Sequence, residues 1–287
     1  MDAYTIDKAR VRAAFDRAAP QYDAAAVLQR EVRARMLQRL EVIRIQPRLI
    51  LDAGTGTGQA AQGLAARYRD ARVIALDIAL GMLHVAAGTQ PWWRRFAGRR
   101  QFELCADLEH LPLAAGSMDM IWSNLAVQWC NDLDRVFADM ARVLRPEGLL
   151  TFSTFGPDTL KELREAGNAD PEHVHVSRFI DMHDIGDALV RAGFADPVLD
   201  VEHFVLTYDD VLAVMRDLKS IGAHNAAQGR RRGLEGKSFL RNLEQRYEQF
   251  RSDGKLPATF EVVYAHAWKG QERLPDGAVP IRIHRRK

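Results

Sequence analysis

Apolar positions along this chain change rhythm near residue 47. Before it, residues 7–18 and 24–44 have helical spacing, the second carrying Val27, Leu28, Val32, Met36, Leu37, Leu40 and Ile43 up to a stop at Pro47. After it, short apolar runs ending in Asp or Asn alternate with amphipathic stretches. The runs are Leu49 to Asp52, Arg72 to Asp77, Gln101 to Asp107, Met118 to Asn124 and Leu149 to Phe155; the stretches between them are 57–68, 79–88 and 132–144. Strand–helix alternation of this kind predicts an α/β fold with a parallel sheet covered on both faces. Beyond Phe155 the alternation loosens. A helix over 181–193, a strand near 197–206 and a late strand from Thr259 to Trp268 are predicted. Thr207-Tyr-Asp-Asp210 has capping-box spacing, with Asp in the usual Glu place, ahead of a helix to about Ile221; another helix covers about 238–252. The N-terminal helices (1–45) and the 207–252 insertion are expected to fold over the ligand edge of the sheet as lid elements of one domain spanning 1–287.

The sharpest chemistry lies in LDAGTGTG at 51–58, which follows an apolar strand and opens a helix. Glycines there let the backbone turn sharply and approach a ligand closely, at the carboxyl edge where α/β sheets bind ligands. The spacing is G-x-G-x-G, with Gln59 next, and lacks the third pyrophosphate glycine of dinucleotide binders. Asp77 ends the second run, where a carboxylate can accept both ribose hydroxyls. Asp107 ends the third, within reach of an adenine amino group. Either one alone reads equally as a strand-end turn or a helix cap; the set describes a site for an adenosyl group without phosphates. No Lys or Arg sits in the glycine loop to favour a phosphate. S-adenosylmethionine fits, because its sulfonium is cationic and its amino-acid part zwitterionic, and Asp52 suits that charge. This part of the chain, about 48 to 155, resembles the class I methyltransferases. That resemblance implies a Rossmann-like, mostly parallel seven-stranded sheet. It places Gly54 and Gly56 at the methionine part, Asp77 at the ribose, Ile78 at the adenine face, and Asp107 with Leu108 at the adenine edge. Ser123 to Trp129 would meet the transferred methyl: Asn124 and Gln128 to orient a substrate oxygen, Trp129 to wall the site or simply to pack in the core.

Longer segments narrow the resemblance. FDRAAPQYDAAAVLQ (15–29), ALDIALGML (75–83), LPLAAGSMDMIWSNLAVQWCNDL (111–133), FSTFGPDTLKELR (152–164), RFIDMHDIGDALVRAGFADPV (178–198) and LTYDDVLAVMRDLKSIGAHN (206–225) are similar to the malonyl-acyl-carrier-protein O-methyltransferases of biotin biosynthesis. Thr55 departs from that family, which often has Cys there. The resemblance implies methyl transfer from S-adenosyl-L-methionine to the free carboxyl of a malonyl thioester on acyl-carrier protein, leaving S-adenosyl-L-homocysteine. Lys219, Arg178, Asn225 and His224 are candidate partners of the malonyl carboxylate, Lys219 reading as readily as a surface helix lysine. Tyr22 and Gln29, on the N-terminal helices, are expected to close over the cofactor, and Tyr22 equally reads as a packing residue.

Composition limits the remaining classes. The 287 residues carry a formal net charge of +2 with 47% hydrophobic and 27% charged residues, so neither disorder nor a nucleic-acid partner is demanded. Basic clusters at Arg94, Arg95, Arg99 and Arg100, at Arg230 to Arg232, and at Arg285-Arg286-Lys287 read first as solvated faces and second as a docking surface for an acidic carrier. Cys105 and Cys130 lack redox or zinc spacing and are expected as buried core thiols. No signal core or membrane span stands out, which makes a cytoplasmic setting the expectation. His173, His175, His183 and His266 match no metal-ligand spacing, and carboxyl methylation requires no metal. Alternatives are a methyltransferase acting on another small acid or on a protein, a cofactor-binding assembly factor without methyl transfer, and a dinucleotide dehydrogenase, the last disfavoured by the glycine spacing.

Overall fold

Seven strands form a single sheet in the order β3-β2-β1-β4-β5-β7-β6. They are β1 Leu49–Ala53, β2 Arg72–Asp77, β3 Gln101–Cys105, β4 Met118–Asn124, β5 Leu144–Phe155, β6 Phe194–Tyr208 and β7 Leu256–Lys269. The first five pair in parallel, and β7 runs antiparallel to both β5 and β6. The computed structural model describes residues 5–89, 100–167, 179–221 and 237–271, with side chains described from 240 in the last segment.

The central strands are apolar along nearly their whole length because both faces are covered. Ile50, Met120, Trp122 and Leu149 face one layer of helices, α3 (Val27–Arg39) and α4 (Gln59–Arg67). Leu51, Ile121 and Leu150 face the other, which includes α6 (Leu133–Val143) and α8 (Met182–Arg191). Trp122 is completely buried. Strand β6, at the sheet edge, alternates half-buried and exposed positions instead, and Val205 on its open face is 56% exposed. The remaining helices are α1 (Lys8–Ala18), α2 (Tyr22–Ala25), α5 (Leu80–Gly88), α7 (Lys161–Gly167), α9 (Val211–Ser220) and α10 (Lys237–Tyr247).

Several sequence expectations shift. The stretch 24–44 is two helices, α2 and α3, divided at Ala26, and α3 ends at Arg39 rather than being stopped by Pro47. Thr207 does not cap α9: it stays in β6 opposite Pro257, and Asp210 is the cap, accepting from the Ala213 amide at 2.6 Å. The hydrogen-bond pull of a long antiparallel edge outlasts the local capping pattern. Cys105 is exposed because β3 is the other edge strand, and Cys130 is only partly buried, so the pair are not core thiols. Helices α1 to α3 lie over the carboxyl edge of the parallel strands: the Gly81 amide donates to Asp16 at 2.7 Å, and Phe15 and Tyr22 pack with Met82. Helices α9 and α10 stand at the same edge. Val211 and Leu243 pack with Ala166 and Tyr247, and the buried Glu162 carboxylate accepts the Thr259 amide at 3.0 Å.

At the opposite edge of the sheet, Asp119 is buried and its Oδ2 accepts the amides of Arg48 and Leu49 at 2.7 and 2.8 Å, while Oδ1 pairs with Arg145. Asp119→Ala strands two backbone donors where β1 begins. Urea unfolding should show a loss of about 1–3 kcal/mol, with cofactor affinity in the folded variant unchanged; equal stability would show that water satisfies those amides.

Candidate active site

The chain turns at Gly54 with φ +81° and at Gly56 with φ +56°, in the left-handed region that side chains avoid. At Gly54 space also forbids a side chain, because an added Cβ would lie 2.2 Å from the Ala126 Cβ. The loop is pinned from beneath: the Gly54 and Thr55 amides both donate to the Leu76 carbonyl at 2.8 Å. The Asp77 carboxylate accepts from Gly56 N at 2.9 Å through Oδ2 and from Ala79 N at 2.8 Å through Oδ1. Asp77 therefore shapes the glycine loop before it meets any ligand, and each of its oxygens keeps a lone pair for a hydroxyl donor.

Asp52 is 1% exposed. Its Oδ2 accepts from Thr55 Oγ1 at 2.5 Å, whereas Oδ1, like Gln29 Oε1, is buried and has no hydrogen-bond partner among the described residues. Burial pushes the Asp52 carboxyl up to about 7; its Thr55 hydrogen bond works against this and the nearby Asp77 adds to it. Burial likewise pushes Asp77 up to about 6, against the pull of its two backbone donors. Tyr22 is raised above its ordinary value by burial and by the charges of Asp77 and Asp23, so at neutral pH its hydroxyl is a donor and not a base.

Two adjoining cavities share Tyr22, Gly54, Gly56 and Asn124. One is walled by Gln29, Arg30, Arg33, Asp52, Thr55 and Thr57. The other has an apolar wall of Val11, Phe15, Ile78, Met82, Leu108 and Trp129, with Asp77 and Asp107 as its acids. Phe15 meets Trp129 edge to face at 5.4 Å between centroids. Asp107 Oδ1 takes a hydrogen bond from Lys8 Nζ at 2.9 Å and another from the Glu109 amide at 3.0 Å. Asn124 is held between elements: its Nδ2 donates to the Gln29 carbonyl at 3.1 Å and its Oδ1 accepts from Ser153 at 3.0 Å.

Of the residues singled out in the sequence, the structure gathers Tyr22, Gln29, Asp52, Gly54, Gly56, Asp77, Ile78, Asp107, Leu108, Asn124 and Trp129 around these two cavities. It does not bring Gln128 there: Gln128 Nε2 donates to the Leu125 carbonyl at 2.8 Å and its Oε1 accepts from Thr154 at 3.4 Å, so the amide serves its own loop. Lys219 is exposed on α9 and lines neither cavity. Arg178, His224 and Asn225 lie outside the described residues, as do Arg94, Arg95, Arg99, Arg230 to Arg232 and the basic tail. Sequence reasoning missed Lys8, Phe15, Arg30 and Arg33. Their signal was a face of α1 and α3 that combines apolar and basic residues, which by itself reads as an ordinary helix surface. Asp158, His203 and Glu261 also converge, with ligand-type atoms within 4.8 Å, but Asp158 and His203 are exposed and all three lie outside both cavities.

The arrangement fits S-adenosylmethionine in shape and charge. The slot flanked by Asp77 and Asp107 has the apolar lining and the acceptors that an adenosine requires, and the polar cavity beside it holds acceptors on Asp52 and Gln29 that, among the described residues, have no partner and suit an ammonium. Arginines do reach the glycine loop from α3, although none lies within it. Asp52 shares their cavity and disfavours a bare phosphate.

A parallel sheet with an antiparallel seventh strand and this glycine-loop site together define a class I methyltransferase. A methyltransferase-domain family model matches residues 51–152. The YcgJ protein of Bacillus subtilis superposes with a TM-score of 0.59 at 15% identity, over 85% of this chain and all 100% of that one. The chain is 64% identical over 288 residues to a malonyl-[acyl-carrier protein] O-methyltransferase from Methylovorus sp., covering 99% of this chain and 97% of that protein. It is 58% identical over 284 residues to one from Gallionella capsiferriformans, covering 98% of each. The chain belongs to the malonyl-[acyl-carrier protein] O-methyltransferase family.

Gly54→Ala should abolish measurable cofactor binding, because the methyl group collides with Ala126 and demands an unfavourable φ; wild-type affinity by calorimetry would mean the loop relaxes freely.

The two raised carboxyls fix a pH dependence. Both groups ordinarily titrate near 3.8, and in the fold they titrate at about 7 (Asp52) and about 6 (Asp77). A carboxyl whose folded value is raised favours the fold below its unfolded value, and that contribution is lost as pH rises through the folded value. The ligand-free protein should therefore lose stability between about pH 4 and 7 from these groups. A cationic ligand prefers them ionised, so S-adenosylmethionine affinity should rise between about pH 5 and 7. A flat affinity profile over that window would rule out the coupling.

Proposed function

We infer that this protein transfers a methyl group from S-adenosyl-L-methionine to the free carboxyl of a malonyl thioester carried on acyl-carrier protein, giving the methyl ester that enters biotin synthesis. The near full-length correspondence to relatives bearing that activity in their names carries the reading, because the site itself specifies the cofactor more closely than the acceptor.

The chemistry asks little of the protein beyond placement. Bound S-adenosylmethionine supplies a methyl group activated on a sulfonium. The acceptor carboxylate is ionised near neutral pH and attacks without a general base. This agrees with the state of Tyr22, whose raised pKa makes it a hydrogen-bond donor rather than a proton acceptor. In this reading Tyr22 and Asn124 stand at the transferred methyl, which is supported by their being the side chains that border both cavities. Leu125, Ala126 and Trp129 keep water from one side of it. Line-up of the attacking oxygen, the methyl carbon and the sulfur is the main catalytic task. An acidic carrier would be drawn to a chain with clustered arginines; among the described residues no helix is long and apolar enough to cross a membrane.

Incubation with malonyl-acyl-carrier protein and the cofactor should yield a carrier heavier by one methyl group, together with S-adenosylhomocysteine, and the gene should restore biotin-independent growth to a strain lacking this methylation. A well-expressed protein that binds cofactor yet forms no malonyl ester and rescues no growth would redirect the assignment to another acceptor.

A further inference from the structure

We propose that the outward face of α9, carrying Leu212, Met215, Arg216 and Lys219, is the docking surface for the acidic carrier protein that brings the malonyl thioester. The proposal rests on the acyl-carrier reading of the substrate and assigns where the carrier stands.

Helical spacing divides α9 into two faces. Val211 packs inward with Tyr247 and Leu256, and Val214 and Leu218 pack inward with the apolar layer that includes Trp122 and Phe260. Leu212, Met215, Arg216 and Lys219 follow one another at steps of three, one and three residues on the other side. A surface helix ordinarily turns polar residues to water. Here Leu212 is 41% and Met215 36% exposed. Single exposed apolar residues are commonplace. Two of them one turn apart, followed along the same face by two cations, make an apolar centre with a charged margin, which is the anatomy of a protein contact.

The cations are open to a partner. Lys219 is exposed, and among the described residues it makes no ion pair. Arg216 Nε donates to the Leu212 carbonyl at 3.2 Å, and its only acid among the described residues is Asp210, at 3.8 Å. That Asp210 oxygen already caps the helix by accepting the Ala213 amide. Asp217, the one acid within α9, accepts from the Tyr208 hydroxyl at 2.6 Å. The face therefore presents positive charge and apolar surface together, which complements an acidic protein.

The surface also stands beside the site. Helix α9 adjoins α2, whose Tyr22 borders both cavities. Adjoining helices lie about 8–10 Å apart, a span that the flexible thioester arm of a carrier crosses. A second copy of the chain is the competing occupant. A two-fold contact would set the cations of one copy against those of the other. One helix face about 15 Å long also falls short of a stable dimer, which buries about 1,200–2,000 Å². A carrier that leaves after each turnover needs only a short, weak contact.

The test compares steady-state kinetics on malonyl-acyl-carrier protein and on a malonyl thioester of a small thiol. The proteins are wild type, Arg216→Glu with Lys219→Glu, Leu212→Gln with Met215→Gln, and a charge-matched control, Arg69→Glu with Arg72→Glu, at the amino end of β2. Each is checked for an unchanged thermal transition. The α9 charge reversal should raise KM for the carrier-bound substrate about 5- to 30-fold, and the glutamine pair should raise it several-fold. Both should keep kcat and the KM for the small thioester near wild type, and the control should match wild type on both substrates. If one α9 variant fails to fold, the other carries the same comparison. Equal losses on both substrates would overturn the proposal in favour of a structural role for α9. A carrier-specific loss shared by the control would assign the effect to net charge, and wild-type values throughout would place the carrier on another surface. Sedimentation showing a wild-type dimer that the α9 variants split would assign the face to a second copy. A wild-type protein that methylates neither substrate would instead remove the malonyl reading itself.

Discussion

Two carboxylates at neighbouring strand ends, the buried Asp52 and the half-buried Asp77, set the terms for everything at this edge of the sheet. Burial raises both pKa values, and among the described residues neither carboxylate makes an ion pair, Arg33 only partly offsetting the rise at Asp52. Backbone amides carry part of the load: Gly56 and Ala79 donate to Asp77, and this is possible only because glycine lets the loop bring its amides inward. One Asp52 oxygen has no hydrogen-bond donor among the described residues. Such a group is costly unless a ligand completes it. The demand for a positively charged, hydrogen-bonding ligand is thus built into the strand ends before any helix covers them.

The covering helices answer the same demand from the other side. Helices α1 to α3 bring Lys8 to Asp107, Tyr22 to the glycine loop, and Arg30 and Arg33 to the cavity of Asp52. They are held by polar contacts at their ends, Asp16 to the Gly81 amide and Asp23 to Thr57 and Gln59, and by apolar packing of Leu28, Val32 and Met36 on the sheet. The acidic residues of this segment thus tie it down, and two of its arginines line the cavity of Asp52.

This division explains what the sequence made legible. Asp77 and the glycines could be placed because strand, turn and helix follow one another along the chain, so local spacing fixes their geometry. The same holds for Asp107 and for the parallel strands, whose unbroken apolar runs require cover on both faces. Arg30 and Arg33 could not be placed that way. Their partners in the site are some twenty residues distant along the chain, and only docking of α3 against β1 and β4 decides which of its arginines point inward. Gln128 failed in the opposite sense. Its spacing from Asn124 suggested a shared task, but a 3-10 turn at Val127–Trp129 folds its amide back onto Leu125. Thr207 and Asp210 show the same competition at a helix start, where continued strand pairing overrode a capping pattern.

The apolar wall completes the catalytic logic. In the inferred reaction an anionic oxygen meets a methyl group on a cationic sulfur, and opposite charges disappear as the bond forms. Water stabilises the separated charges more than it stabilises the transition state, in which they are partly neutralised. Excluding water with Phe15, Leu125, Ala126 and Trp129 therefore favours the transition state over the bound reactants, whereas a reaction that created charge would be slowed by the same wall. The cost falls on binding, because an ionised carboxylate has to leave water to enter. In the proposed reading a few donors near the methyl, Tyr22 among them, offset that cost without removing the charge that makes the oxygen a nucleophile. A strong cation at the same point would hold the carboxylate more tightly and react more slowly. In the proposed reading, that trade-off gives a physical reason for a neutral phenol and amide, Tyr22 and Asn124, to stand at the methyl in place of a cation.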